Sequence, residues 1–297
     1  MKINIEVNNL KPHLWEMVSD TIDFVRIALE ECGVEVRVGV NQLSSDILNL
    51  FFDQFYTDPS LPLKMKISKV KYGLVCTENI STDGIWNSGA EGMTNSSMGK
   101  FQIAAENAEF VWCLFEESVE ACKLLNPNSM FLPIGFLEGL RPKFSFRRKD
   151  DFDIDFLMCG IPTEHRKNMT DALAYEGYKV CYPNQPLPIY LRNSLLERSR
   201  INLSIQKTPQ HRIISVTRIC HSVINHIPVL LEYSGPDTIY SNLCLLSGTD
   251  EFVNKAGLFL NETDLTEMAD EKYKLLEKKL PMKSIMEEVI NTTWKHR

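Results

Sequence analysis

Along the second half of the chain, short unbroken apolar runs alternate with longer stretches in which apolar positions recur every three or four residues. That alternation marks a parallel α/β sheet. DIDFLMCG (Asp153–Gly160) reads as a buried strand, followed by the helical stretch TEHRKNMTDALAYEGY, with Thr163 as N-cap and an end near Gly177. KVCYP, RINLSIQ and IPVLLEY continue the strand series, and PLPIYLRNSLLERS and IISVTRICHSVINH supply helices between them. TIYSNLCLLSG adds a short helix and an edge strand.

The first half follows the same plan less regularly. MKINIEV and VEVRVGV read as strands on either side of a long amphipathic helix, HLWEMVSDTIDFVRIALEECG, that stops at Gly33. DILNLFF, KYGLVCTE and EFVWCLF are further strand candidates, EESVEACKLL is a helix, and SMFLPIG is the last strand of this half. Between Tyr56 and Lys71 the lysines at 64, 66, 69 and 71 alternate with apolar residues. A solvated strand or loop face explains that alternation, and a membrane-surface or acceptor contact competes with it.

These elements predict an α/β protein of two Rossmann-like lobes with a cleft between them and C-terminal helices. The boundaries read as residues 1–140 for the N-terminal lobe, 141–152 for a charged linker without periodicity, 153–262 for the C-terminal lobe and 263–297 for helices broken at Pro281. A length of 297 residues suits two such lobes. The formal charge of −7 argues against a nucleic-acid coat and leaves room for a local basic pocket. Eight cysteines stand singly with no CxxC pair, as buried free thiols in a reducing compartment do. The N-terminus lacks the apolar core of a signal peptide and no run approaches a bilayer span, so a cytoplasmic protein is expected.

Several large enzyme classes lose their support at the level of motifs. GxxxxGK[ST], GxGxxG after a strand, and GxSxG are all missing, which disfavours P-loop ATPases, dinucleotide oxidoreductases and α/β-hydrolases. What the chain offers instead is cationic side chains at strand ends, where open α/β sheets bind ligands. QKTPQHR follows the strand INLSI and carries Lys207, His211 and Arg212 into a helix expected to begin near Ile213. Ser215 and Thr217 would lie in its first turn, where unpaired backbone N–H groups face anions, and Arg218 shares a face with Ser215 at a spacing of three. Gly160 permits close backbone approach after the first strand of the second lobe, and Arg166 can reach a phosphate or a carboxylate from there. Ion pairing on a helix surface, or capping, is the competing explanation for each arginine. His221 and His226 are five residues apart, neither helical nor zinc spacing, and read as a helix-face residue and a C-terminal cap; no metal site is expected. His165 has a capping explanation as well.

DFLMCGIPTEHRKNMTDALAYEGYKV, LLERSRINLSI and HRIISVTRICHSVINHIPVLLE resemble the glycosyltransferase group-1-like proteins of the CgeB type, within the GT-B glycosyltransferases. The resemblance covers roughly residues 153–253; the first half is similar mainly in layout, with FLPIGF placed like the segment that ends the N-terminal lobe. It implies a metal-independent transferase that needs no cofactor beyond a nucleotide-sugar co-substrate. Lys207, His211, Arg212, Ser215 and Arg218 would cradle the donor phosphate with Gly160 and Arg166, while Glu232, at the end of PVLLE, would hold ribose or sugar. A carboxylate near VCTENISTDGIWNSGAEGM, with Glu78 ahead of Asp83 and Glu91, would serve as catalytic base towards a glycan, lipid-linked or protein acceptor. The acidic, glycine-rich loop of larger group-1 enzymes is absent, so the resemblance specifies neither donor nor stereochemical outcome. A catalytically inactive lobe pair that binds a nucleotide, glycan or protein is the main alternative, and a two-lobed binding protein for free sugars or amino acids is the second.

Overall fold

The computed structural model describes residues 1–7, 12–40, 42–52, 60–83, 95–140, 152–183, 185–209 and 213–294. Most of the expected linker, His211, Arg212 and Glu91 lie outside this set. The chain forms two compact units, each with its own parallel sheet flanked by helices. The first comprises residues 1–15, 23–134 and 282–297; the second comprises 16–22 and 135–281.

In the first unit the strands β1 (Lys2–Val7), β2 (Glu35–Val40), β3 (Leu48–Phe52), β4 (Tyr72–Cys76), β5 (Val111–Cys113) and β6 (Ser129–Phe131) pair in the order β2-β1-β3-β4-β5-β6. Every pairing is parallel. β3 and β4 are buried at every position because helices cover both faces, which is why they read as continuous apolar runs. Helix α1 (Pro12–Glu31) ends as expected at Gly33, whose φ of 76° favours a residue without Cβ.

Two elements of this unit differ from the sequence reading. The lysine-rich alternation is not a strand or loop face but helix α2 (Leu61–Ser68), opened by Pro62 in its first turn and closed by left-handed Lys69. Pro62 and Met65, three apart, face the core, so the segment satisfies helical spacing despite its period-2 appearance. Helix α3 (Asn95–Glu106) had no counterpart in the pattern, because polar and small residues (NSSMGK) fill its first half. Helix α4 (Ser118–Leu125) was legible.

The second unit contains β7 (Ile154–Met158), β8 (Val180–Cys181), β9 (Ser199–Ser204), β10 (Val229–Glu232) and β11 (Leu245–Ser247) in the order β11-β10-β9-β7-β8, again all parallel. Helices α5 (Glu164–Tyr175), α6 (Ile189–Glu197), α7 (Val216–Ile224), α8 (Phe252–Glu262) and α9 (Leu265–Lys279) accompany them. Thr163 caps α5 as expected, its Oγ1 accepting from the N–H of Arg166. The expected break at Pro281 separates α9 from α10 (Met282–Thr293), and α10 belongs to the first unit. There Trp112 Nε1 donates to Thr293 Oγ1 at 3.0 Å, and Asn128 Nδ2 donates to the Thr293 carbonyl at 3.0 Å. All eight cysteines are free thiols, five of them buried.

Candidate functional site

The strand order of the second unit reverses at β7: the chain moves first to β8 on one side and then to β9 on the other. In an open α/β sheet the crevice beyond the carboxyl ends of two such strands is where ligands bind. Here it is bordered by the loop after β7, with Cys159 and Gly160, and the loop after β9, with Gln206, Lys207 and Thr208. Helix α5 follows the first loop and α7 the second.

Arg166, in the first turn of α5, is buried. Its Nε donates to the Ile205 carbonyl beyond β9 and its Nη1 to the Ile161 carbonyl beyond β7, both at 2.9 Å, so one guanidinium ties the two loops together. Arg218 approaches the same point from α7. A Cβ built on Gly160 would lie 3.0 Å from Arg218 Nη2 and 3.1 Å from Arg166 Nη1. The two cations thus converge on one glycine, and glycine leaves them room.

That convergence is electrostatically costly. Burial lowers the Arg166 pKa to about 10, helped by repulsion from Arg218 and opposed by Tyr182 and Glu232. Burial also lowers the Arg218 pKa; Cys159, Tyr182 and Asp20 oppose the shift and Arg192 adds to it. Arg192 is ion-paired with Asp20. Arg218 Nη1, by contrast, is buried with no hydrogen-bond partner among the described residues, as is Thr208 Oγ1. A buried, unpaired guanidinium N–H beside a second arginine is a site short of negative charge.

Glu232, at the end of β10, is 3% exposed rather than the plain surface glutamate that was the alternative. Oε1 accepts from Thr249 Oγ1 at 2.6 Å and Oε2 from the Gln206 backbone N–H at 2.9 Å, while His165 Nε2 lies 2.9 and 3.0 Å from the two oxygens. Gln206 Nε2 also donates to the Glu232 carbonyl at 3.1 Å. One carboxylate therefore holds together the ends of β9 and β10, the loop after β11 and the start of α5. Local sequence gives His165 only a capping explanation, because the residue it faces is 67 positions away. Its neighbour Thr163 had already accounted for the cap.

The remaining candidates divide. Helix α7 begins at Val216, so Ser215 is its N-cap residue rather than a first-turn residue, and its side chain makes no capping bond. Lys207 is half-buried in the loop after β9. His221 Nε2 lies 3.0 Å from Asn193 Oδ1, as expected for a helix-face residue, whereas the C-cap of α7 is Asn225 and His226, left-handed at φ 53° one residue beyond it, pairs with Asp270 and stacks on Tyr273. Glu78, in the first unit, lies just beyond β4; its backbone carbonyl accepts from Ser118 Oγ at 3.1 Å and from Cys76 Sγ at 3.3 Å. Asp83 accepts from Ser81 Oγ. The first unit has its own reversal point, between β1 and β3. There Asn4 Nδ2 donates to Asn49 Oδ1 at 2.9 Å, and Glu6 Oε2 accepts from the Gln42 N–H at 2.9 Å. Among the described residues no three metal-ligating side chains come together, and no helix is long and apolar enough to cross a membrane.

No family model matches the sequence, and no curated protein does. The UDP co-structure of S. aureus MnaA superposes with a TM-score of 0.59 at 11% identity, covering 97% of this chain and 96% of that one. This is a GT-B-like fold. UDP-GlcNAc 2-epimerase from Neisseria meningitidis bound to UDP-GlcNAc gives a TM-score of 0.56 at 10% identity, covering 98% of this chain and all of the other. The DNA modifying enzyme β-glucosyltransferase, studied with and without the substrate uridine diphosphoglucose, gives 0.55 at 10% identity, with 98% and 100% coverage. The fold is thus one that glycosyltransferases and sugar-nucleotide epimerases share, and the similarity is not specific to the CgeB-type proteins.

Proposed function

We propose that the protein is a glycosyltransferase that uses a nucleoside-diphosphate sugar, with uridine as its nucleoside, and passes the sugar to a hydroxyl acceptor without a metal ion. The observation that carries this reading is the meeting of Arg166 and Arg218 at Gly160, at the sheet's reversal point, with a buried N–H left unpaired. A departing diphosphate develops negative charge as the glycosidic bond breaks, and two preorganised guanidiniums stabilise it without reorganisation. Lys207, His211 and Arg212, with Ser215 at the start of α7, extend the cradle along the phosphates. Glu232 holds His165 and the loops after β9 and β11 in place, so that its contribution to ribose or sugar recognition runs through the groups it positions. Glu78 is the proposed base towards the acceptor. The choice of uridine rests on the UDP and UDP-sugars named with the similar structures.

A second reading, epimerisation of the sugar within the nucleotide-sugar, is favoured by the N. meningitidis structure and uses the same diphosphate cradle. Titration calorimetry of the purified protein with UDP, GDP, ADP, TDP and CMP, in EDTA and then in magnesium, tests the shared part. Saturable UDP binding in EDTA is expected, and no binding across the panel would overturn both readings. NMR of UDP-GlcNAc and UDP-glucose incubated with the protein then separates them. Inversion at the sugar without acceptor identifies an epimerase, UDP release that depends on added acceptor identifies a transferase, and binding without either change identifies the inactive lobe pair.

A further inference from the structure

Helix α2 presents two apolar faces, and the core uses only one. At about 100° per residue, Leu61, Pro62 and Met65 fall on one side, and Leu63 and Ile67 lie about 40° apart on the other. Pro62 and Met65 are buried, whereas Leu63 is 51% and Ile67 72% exposed. Lys66 and Lys64 stand about 60° to either side of that outward ridge, both exposed. Lys69 and Lys71, also exposed, continue the charge beyond the helix, and no acidic residue occurs from Ser60 to Thr77.

Single exposed aliphatic residues are ordinary on a protein surface, and Leu124 on α4 is one. Leu63 and Ile67 differ in being i,i+4 neighbours on one ridge with a lysine on each flank. A flanking lysine can lay its methylene stem along the ridge and keep its ammonium at the height of a lipid headgroup. The four lysines fix the sign of the partner. Apolar side chains that enter the acyl boundary, bordered by cations that meet anionic headgroups, are what an interfacial helix requires.

We infer that α2 docks the first unit on an anionic lipid surface, with Leu63 and Ile67 inserted and Lys64, Lys66, Lys69 and Lys71 on the headgroups. This attachment is independent of the sugar chemistry proposed for the second unit. It adds a surface-held mode of action to a chain in which no described helix can span a bilayer.

Co-sedimentation of the full chain with phosphatidylcholine vesicles, and with equimolar phosphatidylcholine and phosphatidylglycerol, tests the inference. Binding is expected only to the anionic vesicles and should fall with added salt. The pair Lys64→Gln and Lys66→Gln should lower the partition coefficient about 30-fold, at roughly fivefold per lysine. Leu63→Ser with Ile67→Ser, at positions already exposed, should lower it at least tenfold while leaving the circular dichroism spectrum and melting temperature unchanged. Three results would overturn the inference: no binding to anionic vesicles at low salt, undiminished binding by either pair variant, or sedimentation velocity showing a dimer that the Leu63/Ile67 variant dissociates.

Discussion

Replacing Arg218 by methionine should move stability and ligand affinity in opposite directions. The guanidinium sits beside Arg166, with Nη1 buried and unpaired among the described residues. Leaving one such donor unsatisfied costs about 1–3 kcal/mol, and removing a like charge from Arg166 adds to the relief. Methionine fills a similar volume with no polar atom, and exchanges of buried charge for apolar packing commonly stabilise by about 1–4 kcal/mol. The loss of attraction to Asp20 works against this gain, so about 1–3 kcal/mol is expected for the second unit. At roughly 2–4 °C per kcal/mol for a unit of this size, its transition should rise by about 2–12 °C. Residues 135–281 contain no tryptophan, so indole fluorescence reports the wrong unit. Scanning calorimetry, with hydrogen exchange at the Leu203 and Leu230 amides, reads the right one. The same substitution should weaken UDP binding by about 1.5–3 kcal/mol, or about 12- to 160-fold, as expected for one charge-assisted contact. A variant that melts lower would make Arg218 a structural residue. One that melts higher but binds UDP as tightly as the parent would refute the anion site.

Three further outcomes follow from the same geometry. Glu232→Ala removes the acceptor of the Gln206 N–H, and exchange of that amide should accelerate about 10- to 150-fold, whereas Glu232→Gln, which keeps an oxygen there, should stay within a few-fold; equal acceleration in both would refute the assigned bond. Gly160→Ala places a methyl 3.0–3.1 Å from both guanidiniums, one of them pinned by two carbonyls, and calorimetry should show UDP affinity reduced about tenfold or more. Because the Arg166 pKa is lowered to about 10, and a bound anion favours the charged form, UDP affinity should be level below that pH and fall as pH rises through it, as titrations across the range would show. By the same sign, the folding penalty of burying this arginine is fully present below about pH 10 and is relieved above it.

The second unit was the more legible part of the sequence because its strands and helices keep separate periods. DIDFLMCG, RINLSIQ and IPVLLEY appear as β7, β9 and β10, and Thr163 caps α5 where a threonine before an amphipathic run should. Lysine alternation disguised α2, since in two helical turns flanking charges and two apolar ridges mimic period 2. Within the site, Glu232 and Arg166 stood out by their place after strands. Their partners did not: His165 meets Glu232, and Arg218 meets Gly160, only once the strand order 5-4-3-1-2 brings distant loops to one edge. Pairings of that kind carry no local signal in sequence.

The membership of α10 in the first unit has a bearing on synthesis. Trp112 and Asn128 find their hydrogen-bond partner in Thr293, which leaves the ribosome only after every strand of both sheets has been made. The first unit is therefore begun first and completed last, by a helix added after its sheet. A chain released before Met282 would carry a finished second unit and a first unit lacking the helix that satisfies a buried indole N–H, and quality control would meet that exposed flank.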